Sequence, residues 1–127
     1  MYFSITKRMI WVTFQREGYH SYPAAATDIK LMDVSYLANK HRHIFHFHVG
    51  IGVDHNERDI EFIQFKHFCE GVVDNRIIKN LDADSCETMA EKLIYSVWES
   101  YPFRKVDVTV SEDGENGCTL TTDAIKD

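Results

Sequence analysis

The stretch His41-Arg42-His43-Ile44-Phe45-His46-Phe47-His48-Val49-Gly50-Ile51-Gly52-Val53 decides the fold. On extended backbone successive side chains point to opposite faces. From His43 onward Phe45, Phe47, Val49, Ile51 and Val53 therefore share one face, while Ile44, His46, His48, Gly50 and Gly52 share the other. The spacing predicts a strand over 43–53 that buries its apolar side. At its start stand His41 and His43, two residues apart. Their imidazoles project to the same side, a geometry that lets two nitrogens reach one ion at about 2.0–2.1 Å.

Working upstream, Ile10, Val12 and Phe14 alternate with Trp11 and Thr13, which predicts an earlier strand over 9–14 with large side chains on both faces. Residues 16–35 carry Gly18, Tyr19, His20, Tyr22, Pro23 and three alanines and lose that pattern, so they read as a long connection or a strand interrupted by a bulge. If the second strand runs back antiparallel beside the first, His20 comes near position 42 and supplies a third imidazole. Three histidines with an open fourth position form the catalytic zinc pattern, in which a water or substrate hydroxyl is polarised. The competing reading is a polar loop followed by histidines that only hydrogen-bond at a strand start. His46 and His48 face the other way and suit an interface or hydrogen bonds, and His55 and His67 read as surface residues.

Downstream, the polar turn Asp54–Asp59 precedes Phe62, Phe65, Cys69, Val72 and Val73 at helical intervals, which predicts a helix over about 60–72. Asp84 followed three residues later by Glu87 reads as a capping box in its Asp variant. Met89, Ala90, Leu93, Ile94, Val97 and Trp98 then make an apolar stripe before Pro102, so a second helix is expected over about 85–99. Val106, Val108 and Val110 alternate with polar residues, and Asp113-Gly114-Glu115-Asn116-Gly117 supplies turn residues before Cys118-Thr119-Leu120, a closing hairpin. The expected fold is α+β, strand-strand-helix-helix-strand-strand, a four-stranded antiparallel sheet with two helices on one face. Trp11, Ile44 and the small residues Gly50 and Gly52 on the second face imply burial against another subunit, so a homo-oligomer is expected.

Composition sets the outer bounds. The 127 residues carry 14 Lys+Arg against 20 Asp+Glu, a formal charge of −6, with no basic block, which argues against nucleic acid and anionic membranes as partners. Lys7 and Arg8 interrupt the apolar N-terminal stretch, and no later run approaches about 18 apolar residues, so neither a signal segment nor a membrane span is expected and a cytoplasmic location is. Three cysteines, Cys69, Cys86 and Cys118, without a CxxC pair form neither a disulfide framework nor a thiolate zinc site. Length and the absence of a linker imply one domain over 1–127.

At this point the residues resemble a family. His41-Arg42-His43-Ile44-Phe45 is similar to the His-Gly-His-x-(Tyr/Phe) motif of the 6-pyruvoyl-tetrahydropterin synthase and 6-carboxytetrahydropterin synthase family, members of the tunnelling fold. Glu61-Phe62 with Lys66 resembles the Asp-Phe-x-x-(Leu/Phe)-Lys opening of that family's first helix. Ser85-Cys86-Glu87-Thr88-Met89-Ala90 resembles its Pro-Thr-x-Glu-x-x-Ala helix start, and Val108-Thr109-Val110-Ser111-Glu112 its Val-x-Val-x-Glu-Thr strand end. The pieces occur in the family's order on independently assigned elements, with the likeness weakest over 16–40 and 70–83.

The resemblance implies that His20, His41 and His43 ligate zinc, which orients and polarises oxygen groups on the substrate side chain. It implies that Glu112 accepts hydrogen bonds from a pterin or purine-like ring, a bidentate fit for a carboxylate; an acidic residue beside a turn is the plain alternative. Ser85, which opens the matching helix, is expected to bind substrate, and Arg42 stands where the family has Gly, with a charge suited to a phosphate or acidic ligand. Family members are typically hexamers, two trimers stacked into a barrel, with sites between subunits. The departures count too: the family's catalytic cysteine position is Leu37, and its Asp-His pair falls at Asp74-Asn75, leaving Asp74 as the acid–base candidate because an amide does not titrate near neutrality. Cys86 or Cys118 could approach the pocket instead.

Two functions follow as expectations. One is a zinc-dependent lyase acting on a dihydroneopterin-triphosphate-like substrate of a pterin or 7-deazaguanine (queuosine) pathway, with the usual base replaced. The other is a non-catalytic protein that binds or sequesters a purine, pterin or nucleotide. A third, bland alternative is an α+β interaction domain whose histidines share no partner.

Overall fold

A computed structural model of the chain describes residues 2–124. The elements run β1 (Met9–His20), β2 (His41–Gly52), α1 (Phe62–Val72), α2 (Cys86–Ser100), β3 (Val106–Glu112) and β4 (Asn116–Thr121). The strands form one antiparallel sheet in the order β1-β2-β3-β4. The expected α+β class and the four-stranded sheet with two helices on one face are therefore observed. Phe45, Phe47, Val49 and Ile51 of β2 pack in one cluster with Phe65 and Cys69 of α1, Met89, Leu93 and Val97 of α2, and Val106, Val108 and Val110 of β3. Trp11 on the opposite face is exposed. Among the described residues, no helix is long and apolar enough to cross a membrane.

Two local readings are corrected. The first concerns β1, which was expected to stop at Phe14 but continues in unbroken register to His20, from Met9 opposite Gly52 to His20 opposite His41. Gly18 is the reason: a Cβ there would meet Leu81 Cδ1 at 2.7 Å and Phe45 Cε2 at 2.9 Å, so the glycine serves close packing within the strand. The connection to β2 begins only after His20 and contains two 3-10 stretches, Pro23–Ala26 and Ile29–Ala38.

The second correction is the start of α2. Its N-cap is Ser85, whose hydroxyl accepts from the Thr88 N–H and whose backbone is extended. Asp84 was expected in that place but uses its carboxylate on Lys92 and its backbone carbonyl on His20. Glu61 caps α1 in the same way, accepting from the N–H groups of Ile63 and Gln64. α1 ends at Val72, as expected, and passes into a π-helical turn, Val73–Ile77, where Asp74 faces Arg16 of β1.

Candidate metal centre

Directly opposed residues of an antiparallel pair lie on the same face. His20 opposes His41, and Gly18 opposes His43, so the end of β1 and the start of β2 bring three imidazoles to one end of the core face. Ring centroids lie 4.6 Å (His20–His41), 4.9 Å (His41–His43) and 5.2 Å (His20–His43) apart, all edge-on. One nitrogen from each ring can be chosen so that all three lie within 4.8 Å of one another. These three histidines can hold a metal ion. Phe45 closes the site from below, edge-on to His20 and His43 at 5.2 and 5.6 Å.

The outer nitrogens decide the orientation. His20 Nδ1 lies 2.8 Å from the Asp84 carbonyl, His41 Nδ1 2.8 Å from the Asn39 carbonyl, and His43 Nδ1 2.7 Å from Asp113 Oδ2. Each of these is an acceptor, so each Nδ1 carries a proton and donates it; in the neutral imidazole Nε2 is then the nitrogen left to bind a metal. This arrangement, outer nitrogen anchored and inner nitrogen bare, is how metal-ligating histidines are held. The Nε2 atoms of His20 and His43 are buried without a hydrogen-bond partner, and His20 is 94% withdrawn from solvent (6% exposed). An orphaned buried nitrogen of this kind is costly unless something absent from the protein itself satisfies it.

The site opens onto a cavity of about 460 Å³, whose walls include His20, His41, Tyr22, Leu37, Ser85, Cys86, Glu87, Glu112 and Asn116. Glu112 projects from β3 toward the imidazoles, its Oε2 3.1 Å from His20 Nε2 and 3.6 Å from His43 Nε2. Neither approach forms a hydrogen bond despite the short distance.

The remaining expected site residues fall as follows. Ser85 lines the cavity, although its hydroxyl is engaged in capping and with Thr88 Oγ1 at 3.2 Å. Arg42 is not among the cavity's walls: its parity puts it on the opposite sheet face, where it pairs with Glu17 at 3.0 Å. Asp74 is paired with Arg16 at 2.7 Å and is not among the cavity's walls. Of the cysteines, Cys86 lines the cavity and Cys118 does not. Burial first, then the nearby Glu112, push the Cys86 thiol up to about 12, so it is no thiolate at neutral pH.

In the sequence Asp113 reads only as a turn residue. It closes the β3–β4 turn with a positive φ of 57°, and its carboxylate accepts from both His43 and the Ile44 N–H, the latter at 2.8 Å. The His43 hydrogen bond comes first in holding its carboxyl below the usual range. Only the pairing of β2 with β3, Phe45 opposite Glu112, identifies it as a neighbour of His43. No family model and no curated protein matches the chain.

Proposed function

We propose that the protein is a zinc protein of the 6-pyruvoyl-tetrahydropterin synthase and 6-carboxytetrahydropterin synthase type, built on the tunnelling fold, which acts on a pterin-like substrate. The observation that carries this reading is the set of three imidazoles, each anchored through Nδ1, beside a cavity lined by His20, His41 and Glu112. His20, His41 and His43 would hold the ion; imidazole ligands suit zinc among several first-row metals. When bound, zinc supplies polarisation of a hydroxyl or carbonyl oxygen on the substrate side chain. Glu112 would accept from the ring N–H and exocyclic amine of the heterocycle, and the apolar walls at Leu37 and Tyr22 would exclude water around it.

A second reading is favoured by particular residues. Leu37 lines the cavity, and the nearby thiol of Cys86 is held protonated, so neither offers a general base. A protein that binds or sequesters a pterin, purine or nucleotide needs only the cavity. One experiment separates the two: zinc-loaded protein is incubated with dihydroneopterin triphosphate, followed by chromatography for product and calorimetry for binding. Turnover supports the lyase; binding without turnover supports the storage reading; neither binding nor turnover overturns both.

Assembly belongs to the same proposal. The exposed Trp11 on the sheet face away from the helices fits a homohexamer in which that face is covered. Native mass spectrometry showing a monomer would remove this part.

A further inference from the structure

We infer that Glu112 is the fourth protein ligand of the metal when the cavity is empty, an inference that rests on the three-histidine reading above. His20 Nδ1 and His43 Nδ1 face and donate to the Asp84 carbonyl and the Asp113 carboxylate, which turns both Nε2 atoms inward. Glu112 Oε2 stands 3.1 and 3.6 Å from those two nitrogens, and neither nitrogen has a hydrogen-bond partner. A cation lying between the three atoms would satisfy all of them.

The separations of Glu112 from His20 and His43 are those of ligands around one ion. Zinc binds imidazole nitrogen and carboxylate oxygen at about 2.0–2.2 Å, which puts two ligand atoms of a tetrahedron about 3.4 Å apart. The two observed separations bracket that value. The independent observation is the pair of orphaned nitrogens: His20 Nε2 and His43 Nε2 are buried, unpartnered and aimed at the same carboxylate. Tertiary pairing delivers Glu112 there, since it opposes Phe45, two residues beyond His43 on the core face. A heterocycle that takes this carboxylate must first release it from the metal.

The test uses the full chain loaded with Co²⁺ or Zn²⁺ and compares wild type with Glu112→Gln, which keeps the side-chain shape, and Glu112→Asp, which shortens its reach. Expected for both variants is a fall in metal affinity of about a hundredfold or more, beyond the ~10–100-fold typical of groups that only orient a ligand. Expected with it is a change in the visible d–d bands of the cobalt protein as oxygen from the carboxylate is replaced. Weakened affinity with superimposable cobalt spectra would make Glu112 an orienting group and overturn the inference. Unchanged affinity and spectra would do the same while leaving the three-histidine site standing. Failure of the wild type to bind either metal would instead overturn the site itself. Circular dichroism of the two variants checks that each is folded.

Discussion

β2 carries two pairs of histidines with the same spacing, His41/His43 and His46/His48, and they have opposite fates. The first pair lies on the core face at the end of the sheet, where His20 joins it and each Nδ1 is anchored. The second pair divides from it by a change of parity and lies on the outer face. There His48 stacks on Trp11 with centroids 5.3 Å apart, and His46 lies beside Gly114. A His-x-His spacing is therefore only half of a site. What makes the first pair competent is a neighbouring strand that supplies a third ring and backbone or carboxylate acceptors that turn each lone pair inward.

The most severe way to break the contrast is Phe45→Ala. Phe45 is fully buried and edge-on to two of the imidazoles, and truncating a buried Phe costs about 3–5 kcal/mol. Chemical denaturation should show a loss of that size, together with weaker metal binding. Next comes the swap of pairs: His41→Ala or His43→Ala should abolish stoichiometric zinc, whereas His46→Ala and His48→Ala should retain it. Metal analysis after dialysis reads the difference, and zinc retained by His41→Ala would dissolve the contrast.

Smaller still is Asp113, which acts through His43 as a positioning residue. Asp113→Asn keeps a residue tolerant of positive φ but removes the charged acceptor, so zinc affinity should fall by about tenfold, with Asp113→Ala nearer a hundredfold. Competition against a chelator measures both. Zinc itself should raise the melting temperature of the wild type, since it binds the folded chain preferentially, and a chelator should reverse the gain.

The smallest effect expected near neutrality concerns the thiols. Burial raises Cys69 and Cys86 from 9.0 to about 12, so in the folded protein both should resist alkylation at pH 8 and react on unfolding. Because the folded values lie above the unfolded ones, their neutral forms stabilise the fold fully below pH 9, and that contribution is lost as pH rises from 9 toward 12. A melting temperature unchanged across that window would count against it.

Much of this was legible in the residues. The alternation of Phe45, Phe47, Val49 and Ile51 placed β2 with one buried face, and the helical stripes placed α1 and α2 to within about two residues at their ends, since apolar periodicity reports burial directly. The same parity placed His41 and His43 together, and antiparallel return suggested His20. Illegible were the features that depend on a close approach between distant segments. Gly18 looked like a breaker because nothing local shows that Leu81 and Phe45 fill its missing Cβ. Asp84 looked like a cap because an Asp and a Ser are equally suited to that role, and only the fold decides that Ser85 caps while the Asp84 carbonyl meets His20.

The sequence by itself thus determined which residue types share each face, because side-chain direction along a strand or helix is a local property of the backbone. It supplied the donors of a metal centre without their orientation. Tertiary structure alone decided that Nδ1 of each histidine is spent on an acceptor, that Asp113 stands behind His43, that Glu112 faces two bare nitrogens, and that Arg42 turns away to Glu17. Those outcomes depend on strand register and on loops closing over tens of residues, where a shift of one position exchanges the faces.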